Sequence, residues 1–428
     1  MAAPSTIIQP KKELNGSIAP PGDKSISHRA LILSAMTEGT STISGLSNGN
    51  DVAGTQVIME QLGAHFKVLA PSRVEVQGAG ASIHPASASL DCGNSGTTLR
   101  LLMGVVASIE GVHRFIGDES LSRRPMDRVA VPLREMGATV TGVGPQVTLP
   151  VSVEGGILGG IDYTTPVTSA QVKSAILLAG LRGTEDVVVR EAIETRPHTE
   201  EMLLFAGAAL TRERINDHLV ITLRPSTLAP RNWIIPSDPS QGAFFIVAGL
   251  LARSGSITTT GLYPGATRTG FLEVLERMGG RVLKRFDADG NLDVQALPAA
   301  LIATEVRAEE IPSLDEVPIL VVAAAAATGI TRFVDVGELR LKESDRFEKS
   351  KELAEGLGAR AWSEGDDLYV EGRGSASFSR LVIDAEGDHR VAMAAAIAGV
   401  VGGGADISGF ETVMSSYPNF ESDLARLS

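Results

Sequence analysis

A single cysteine, Cys92, in 428 residues excludes an intrachain disulfide framework and fits a reducing compartment. Aromatic residues make up only 4% of the chain, so its core has to be built from Ala, Val, Leu and Ile. No apolar run reaches the roughly 20 residues that a membrane span needs, and the longest, such as ILVVAAAAATGI, stop well short. The N-terminal MAAPSTIIQPKKELNGSI has neither an apolar signal core nor an Arg-rich amphipathic pattern. A formal net charge of −13 leaves no cationic excess for general nucleic-acid binding, although local Lys/Arg clusters can still hold small anions. The expectation from these absences is a soluble, cytoplasmic protein with neither membrane nor nucleic-acid partners.

What the chain has in abundance is repetition. Six times a polar turn is followed by an apolar run: DKSISHRALILSAM, NSGTTLRLLMGVVA, SAQVKSAILLAGL, DPSQGAFFIVAGLLA, LDEVPILVVAAAAATG and GDHRVAMAAAIAGVV. Measured from Ser25, Ser95, Ser169, Ser240, Asp315 and His389, the steps are 70, 74, 71, 75 and 74 residues, a period that predicts repeated structural units. A second lane runs between them, each time an amphipathic stretch ending at a glycine and followed by two short strand patterns. Its glycines are Gly63, Gly137, Gly207, Gly279 and Gly358; a sixth copy breaks off at ESDLARLS. The all-apolar runs should be helices buried on every side, and the second lane should lie outside them.

At this length two domains are expected, each of three repeats. The Pro/Ser-rich IIPSDPSQG marks one crossing and Pro20–Pro21–Gly22 a second. That gives a discontinuous α/β domain of 1–21 plus 237–428 and a continuous one of 22–236, with a cleft between them as the expected ligand site.

Candidate chemistry gathers at the starts of the apolar runs. PGDKSISHRA carries Lys24, Ser25 and Arg29, with Asp23 or Ser25 as the helix cap. Cations at a helix N-terminus cost about 0.3–1 kcal/mol unless an anion is bound there, which makes such turns ready phosphate sites. DCGNSGTTLR supplies Asn94, Ser95, Gly96, Thr97 and Arg100, without the spacing of a nucleotide P-loop. SLSRRPMDR supplies Arg123, Arg124 and Arg128, TSAQVKSA supplies Ser169, Gln171 and Lys173, and ETRPHTEE supplies Thr195, Arg196 and His198. His198 with Glu200 and Glu201 is too short a signal for a metal site, and GGILGG (155–160) reads as a strand-to-strand turn. The second half adds Asp315 and Glu316, then Lys342, Glu343, Asp345 and Arg346, and finally Asp388, His389 and Arg390. Carboxylates among cations can carry protons while the cations hold a reacting anion, or they can be structural ion pairs.

Taken together, PGDKSISHRALILSA, GNSGTTLRLLMG, SLSRRPMDRV, SAQVKSAILLAGL, LKESDRF and GDHRVAMA are similar, in order and spacing, to the signatures of the EPSP synthase (3-phosphoshikimate 1-carboxyvinyltransferase) family. The resemblance covers essentially the whole chain. It implies a two-domain inside-out α/β barrel of six βαβαββ repeats. It further implies transfer of the enolpyruvyl group of phosphoenolpyruvate to the 5-hydroxyl of shikimate 3-phosphate by a monomer needing no metal or organic cofactor. Carried over residue by residue, it assigns catalysis to Lys24, Asp315 and Glu343. Shikimate 3-phosphate would be held by Lys24, Ser25, Arg29, Ser169, Ala170, Gln171, Thr195, Arg196, Asp315 and Lys342. Phosphoenolpyruvate would be held by Lys24, Asn94, Gly96, Arg124, Gln171, Arg346 and Arg390.

Three positions depart from the family pattern: Ala170 replaces a frequent second Ser, Leu101 a frequent Pro, and SSYP (415–418) lacks a Lys that some members carry. These traits resemble the class II branch, often less sensitive to glyphosate, although Gly96 is retained. Two rival readings are a sister transferase of the same fold acting on UDP-N-acetylglucosamine and a non-catalytic repeat scaffold. The sister family carries a Cys on a mobile loop where this chain has FIGDESLSRRP, and its first motif resembles KNAAL. The scaffold reading leaves the paired acid and cation clusters unexplained.

Overall fold

A computed structural model describes residues 5–427; the first four residues and Ser428, on which the N-terminal reading and the broken-off sixth copy partly rest, lie outside the described residues. The six apolar runs form the helices Lys24–Met36, Gly96–Ala107, Ala170–Gly180, Pro239–Leu251, Val317–Ala326 and His389–Val401. Every residue of Pro239–Leu251, Val317–Ala326 and His389–Val401 is buried, as a helix with no polar face requires. Ser95, Ser169, Asp238 and Asp388 cap their helices by accepting backbone N–H bonds from the first turn. The first helix begins at Lys24, which places Ser25 inside its first turn and leaves Asp23, the other expected cap, as the residue just before it.

The second lane forms Asn50–Gln61, Asp127–Glu135, His198–Phe205, Ala266–Arg277 and Arg346–Gly356. Each stops at its glycine, where φ is positive (108°, 111°, 92°, 84° and 80° in chain order), a conformation that a Cβ disfavours. A hairpin follows each stop, as in His65–Ala70 with Arg73–Ala79. GGILGG begins on the last residue of the strand Thr148–Gly155 and leads to the strand Ile161–Thr164.

The described residues form six sheets. Five share one plan: a short edge strand runs parallel to the strand after the apolar helix, and the hairpin continues the sheet antiparallel. The sixth is completed from the other end of the chain, where Ser5–Ile8 pairs antiparallel with Ala405–Ser408.

The chain divides into two compact units. One runs Lys24–Ile235 and closes on itself, since Asn232–Ile234 pairs parallel with Glu38–Ser44 near its start. The other gathers the chain up to Asp23 with everything from Pro236 onward, and Gly16–Ile18 supplies its edge strand beside Ile257–Leu262. Among the described residues no helix is long and apolar enough to cross a membrane.

Candidate active site

In the unit Lys24–Ile235 the helices meet through the side chains of their first two turns. Arg29, almost fully buried, donates from Nη1 to the Ser25 carbonyl (2.9 Å), from Nη2 to Ser174 Oγ (2.6 Å) and from Nε to Thr199 Oγ1 (2.6 Å). One guanidinium thus ties the helix Lys24–Met36 to Ala170–Gly180 and His198–Phe205. Gln171 links the start of Ala170–Gly180 to one further helix, Gly96–Ala107, accepting from Arg100 Nη1 (2.7 Å) and donating from Nε2 to Thr97 Oγ1 (2.9 Å). Arg196 Nη1 donates to Ser25 Oγ (3.0 Å), so residues 171 positions apart in sequence share one polar corner.

Arg124 is buried and donates from Nη2 to Asn94 Oδ1 (2.8 Å) and Ser120 Oγ (3.0 Å), while Asn94 Nδ2 donates to Asp118 Oδ2 (2.6 Å). A Cβ at Gly96 would lie 2.9 Å from Nη1 of Arg100, so that guanidinium would have to shift for any other residue, whereas Nη1 of Arg124, at 3.4 Å, would be in ordinary contact. Lys24 Nζ pairs with Asp51 Oδ2 at 2.5 Å. His28, one turn further along, is fully buried; burial first, then the charges of Lys24 and Arg29, hold its pKa well below the usual histidine range. Its Nδ1 is 2.7 Å from Thr55 Oγ1, and the chain of hydroxyls continues through Thr98 to Ser95.

The other unit builds a second cluster around Arg346. Its Nε and Nη2 meet the two oxygens of Asp388 (2.8 and 3.1 Å), Nη2 also donates to Glu343 Oε2 (2.5 Å), and Nη1 lies 3.4 Å from Asp315 Oδ1. Burial alone disfavours this charge, but Asp388 and Glu343 outweigh it and keep the guanidinium firmly protonated. Arg390 Nη2 lies 3.7 Å from Asp315 Oδ2, and Lys342 donates to the Ser313 carbonyl (3.1 Å). Asp388 also caps the helix that carries Arg390. Three cations and three carboxylates therefore stand together, and an anion entering there would compete with carboxylates for ready-made donors.

Some sequence candidates are placed differently from the reading that singled them out. Lys173, grouped with the anion-binding residues, is fully buried between Glu191 (2.7 Å) and Glu200 (2.8 Å). Glu200, the carboxylate weighed beside His198, is committed to that pair. Asp51 and Arg268 were not singled out at all. Arg268 is buried with Asp23 (2.8 Å), Asp238 (2.7 Å) and Ser240 Oγ (2.8 Å), and nothing in its local ATRTG context signals this. Cys92 is buried, and burial, reinforced by Asp91, pushes its thiol pKa far up, so it offers no thiolate.

The chain as a whole is similar to known proteins. The sequence model of the EPSP synthase (3-phosphoshikimate 1-carboxyvinyltransferase) family matches residues 8–424. A 3-phosphoshikimate 1-carboxyvinyltransferase of Maricaulis maris is 40% identical over 429 residues, covering 98% of this chain and 95% of its own length. One of Gloeobacter violaceus is 40% identical over 432 residues, covering 98% of both. Among solved structures, an EPSP synthase of Acinetobacter baumannii superposes with a TM-score of 0.84 at 35% identity, over 99% of this chain and 98% of the other. Family model, sequence relatives and fold agree along nearly the whole length, and the chain belongs to the EPSP synthase (3-phosphoshikimate 1-carboxyvinyltransferase) family.

Proposed function

We propose that this chain transfers the enolpyruvyl group of phosphoenolpyruvate to the 5-hydroxyl of shikimate 3-phosphate by addition and elimination, with its charged clusters in the roles that follow. Asp315 takes the proton of the 5-hydroxyl as its oxygen bonds to C2 of phosphoenolpyruvate, and Glu343 delivers a proton to C3, making a transient methyl group. Loss of phosphate, with Lys24 as acid at the bridging oxygen, breaks the C2–O bond, and Glu343 recovers a proton from C3 to restore the methylene. Lys24, Asn94, Gly96, Arg124, Gln171, Arg346 and Arg390 serve phosphoenolpyruvate. Lys24, Ser25, Arg29, Ser169, Ala170, Gln171, Thr195, Arg196, Asp315 and Lys342 serve shikimate 3-phosphate.

The observation that carries this reading is Arg346, one buried guanidinium bonded at once to Asp388 and Glu343 and close to Asp315. Both carboxylates with proton roles stand beside cations that favour a developing negative charge and hold the reacting anion. The single cysteine and the net charge of −13 support a cytoplasmic enzyme without nucleic-acid partners. Phosphate release in the presence of phosphoenolpyruvate tests the assignment: it should appear with shikimate 3-phosphate and not with UDP-N-acetylglucosamine. The reverse preference would place the chain with the sister reaction.

A further inference from the structure

The loop 192–197 carries Thr195 and Arg196, and a buried ion triad grips it from both sides. Glu191 ends the strand Val187–Glu191, and Glu200 lies in the first turn of the helix His198–Phe205. Lys173, from the helix Ala170–Gly180, bridges them at 2.7 and 2.8 Å, and none of the three side chains is more than 1% exposed. Thr195 is tied to the same group: its Oγ1 donates to Glu191 Oε1 (2.5 Å), and its backbone N–H points to Glu191 Oε2 (3.4 Å). Both donors of Thr195 are thereby directed at Glu191. A phosphate dianion has no proton to offer the lone pairs of that hydroxyl.

We infer that Lys173 is a positioning residue for the 3-phosphate end of the site, acting through Glu191 and Thr195 on the placement of Arg196. This deepens, and rests on, the reading that Arg196 binds the 3-phosphate. The triad has one cation for two carboxylates. Among the described residues the Glu200 carboxylate meets no partner other than Lys173. Removing Lys173 leaves two carboxylates facing one another in a dry interior, which costs far more than a lost surface pair. Protonating one carboxylate escapes part of this cost, and moving Glu191 or Glu200 toward water escapes the rest; that movement carries the loop and Arg196 with it. Thr195 therefore serves shikimate 3-phosphate by fixing the geometry of the loop that carries Arg196.

Steady-state kinetics of the full-length variants Arg196→Ala, Thr195→Val, Lys173→Met and Lys173→Met/Glu200→Gln test this, each with a thermal melt. Arg196→Ala should raise the KM for shikimate 3-phosphate by about tenfold or more. Thr195→Val should raise it by about three- to tenfold, with kcat and the KM for phosphoenolpyruvate within about twofold. Its melting temperature should stay within about 3 °C of the parent. Lys173→Met should match or exceed Arg196→Ala in that KM, and adding Glu200→Gln should recover part of the loss by removing the surplus charge. A normal KM for shikimate 3-phosphate in Thr195→Val, with Arg196→Ala impaired, overturns the inference alone, and this holds even if Lys173→Met fails to fold. A Lys173→Met defect confined to the melt, with unchanged kinetic constants, overturns it too. An Arg196→Ala enzyme with an unchanged KM overturns the underlying reading and the inference with it.

Discussion

The ammonium of Lys24 lies 2.5 Å from Oδ2 of Asp51, and the two side chains keep only 15% and 10% of their surface exposed. Lys24 opens its helix, where a cation is unfavourable against the positive dipole end. Asp51, from the first turn of the helix Asn50–Gln61, offsets that cost, and on the proposed reading of Lys24 an incoming phosphate competes with it. Lys24→Met should therefore keep the fold and lose about 10²–10³-fold in turnover, the usual cost of one charge-stabilising donor in an enclosed site. Circular dichroism and a turnover assay check the two halves of this expectation. Activity within about tenfold of the parent would contradict the role of Lys24.

A second expectation concerns pH. Burial pushes the Lys342 ammonium below the ordinary lysine range, with Asp315 opposing the shift and Arg346 reinforcing it. Burial favours the neutral form, so as pH rises Lys342 gives up its charge before an exposed lysine near pH ~10.4 would. Affinity for shikimate 3-phosphate should accordingly fall on the alkaline side, beginning below that value. Because the unfolded chain takes this proton more readily, the residue's contribution to stability declines as pH falls through the ordinary lysine range. Lys342→Arg keeps its charge throughout and should move the alkaline limb upward. Calorimetric titration across that range gives the limb directly, and a limb that stays in place in a Lys342→Arg protein that still binds would remove Lys342 as its cause.

Arg268 supports a stability prediction. Its buried guanidinium holds Asp23 and Asp238, which lie beside the two places where the chain passes between its compact units. Glu316 lies 3.9 Å away and is bonded to Ser240, itself a partner of Arg268. Arg268→Met leaves buried carboxylates without their cation and should cost about 3–5 kcal/mol, the range for breaking a buried pair from one side. Urea unfolding measures it; a loss under about 1 kcal/mol would show that water or other groups already serve those carboxylates.

The fold was legible where the signal was local. Runs such as VPILVVAAAA have no polar face to solvate, and Gly63, Gly137, Gly207, Gly279 and Gly358 mark helix ends by the positive φ that glycine accepts. Pairing across the chain left no such mark: nothing in STII indicates that Ser5–Ile8 lies against Ala405–Ser408. The clusters divide in the same way. Cations at the start of an apolar run stand out, because a helix N-terminus disfavours them without an anion. Asp51 did not stand out, since its pairing with Lys24 arises from the packing of two helices. Lys173 drew attention for its charge, but only the packed structure shows that charge fully spent on Glu191 and Glu200.

The central claim is an addition followed by an elimination in which Glu343 gives a proton to C3 of phosphoenolpyruvate and later takes one back. Run in deuterium oxide, the reaction passes through a methyl group holding one solvent deuteron, and the restored methylene keeps deuterium in a fraction of turnovers. Proton NMR of the enolpyruvyl methylene reads this directly. The account predicts deuterium in the product of the parent enzyme. For Glu343→Gln it predicts turnover lowered by about 10²-fold or more, with shikimate 3-phosphate still binding. Product formed at the normal rate with both methylene positions fully protonated would contradict the mechanism. Undiminished turnover and exchange in Glu343→Gln would show that another group carries the proton.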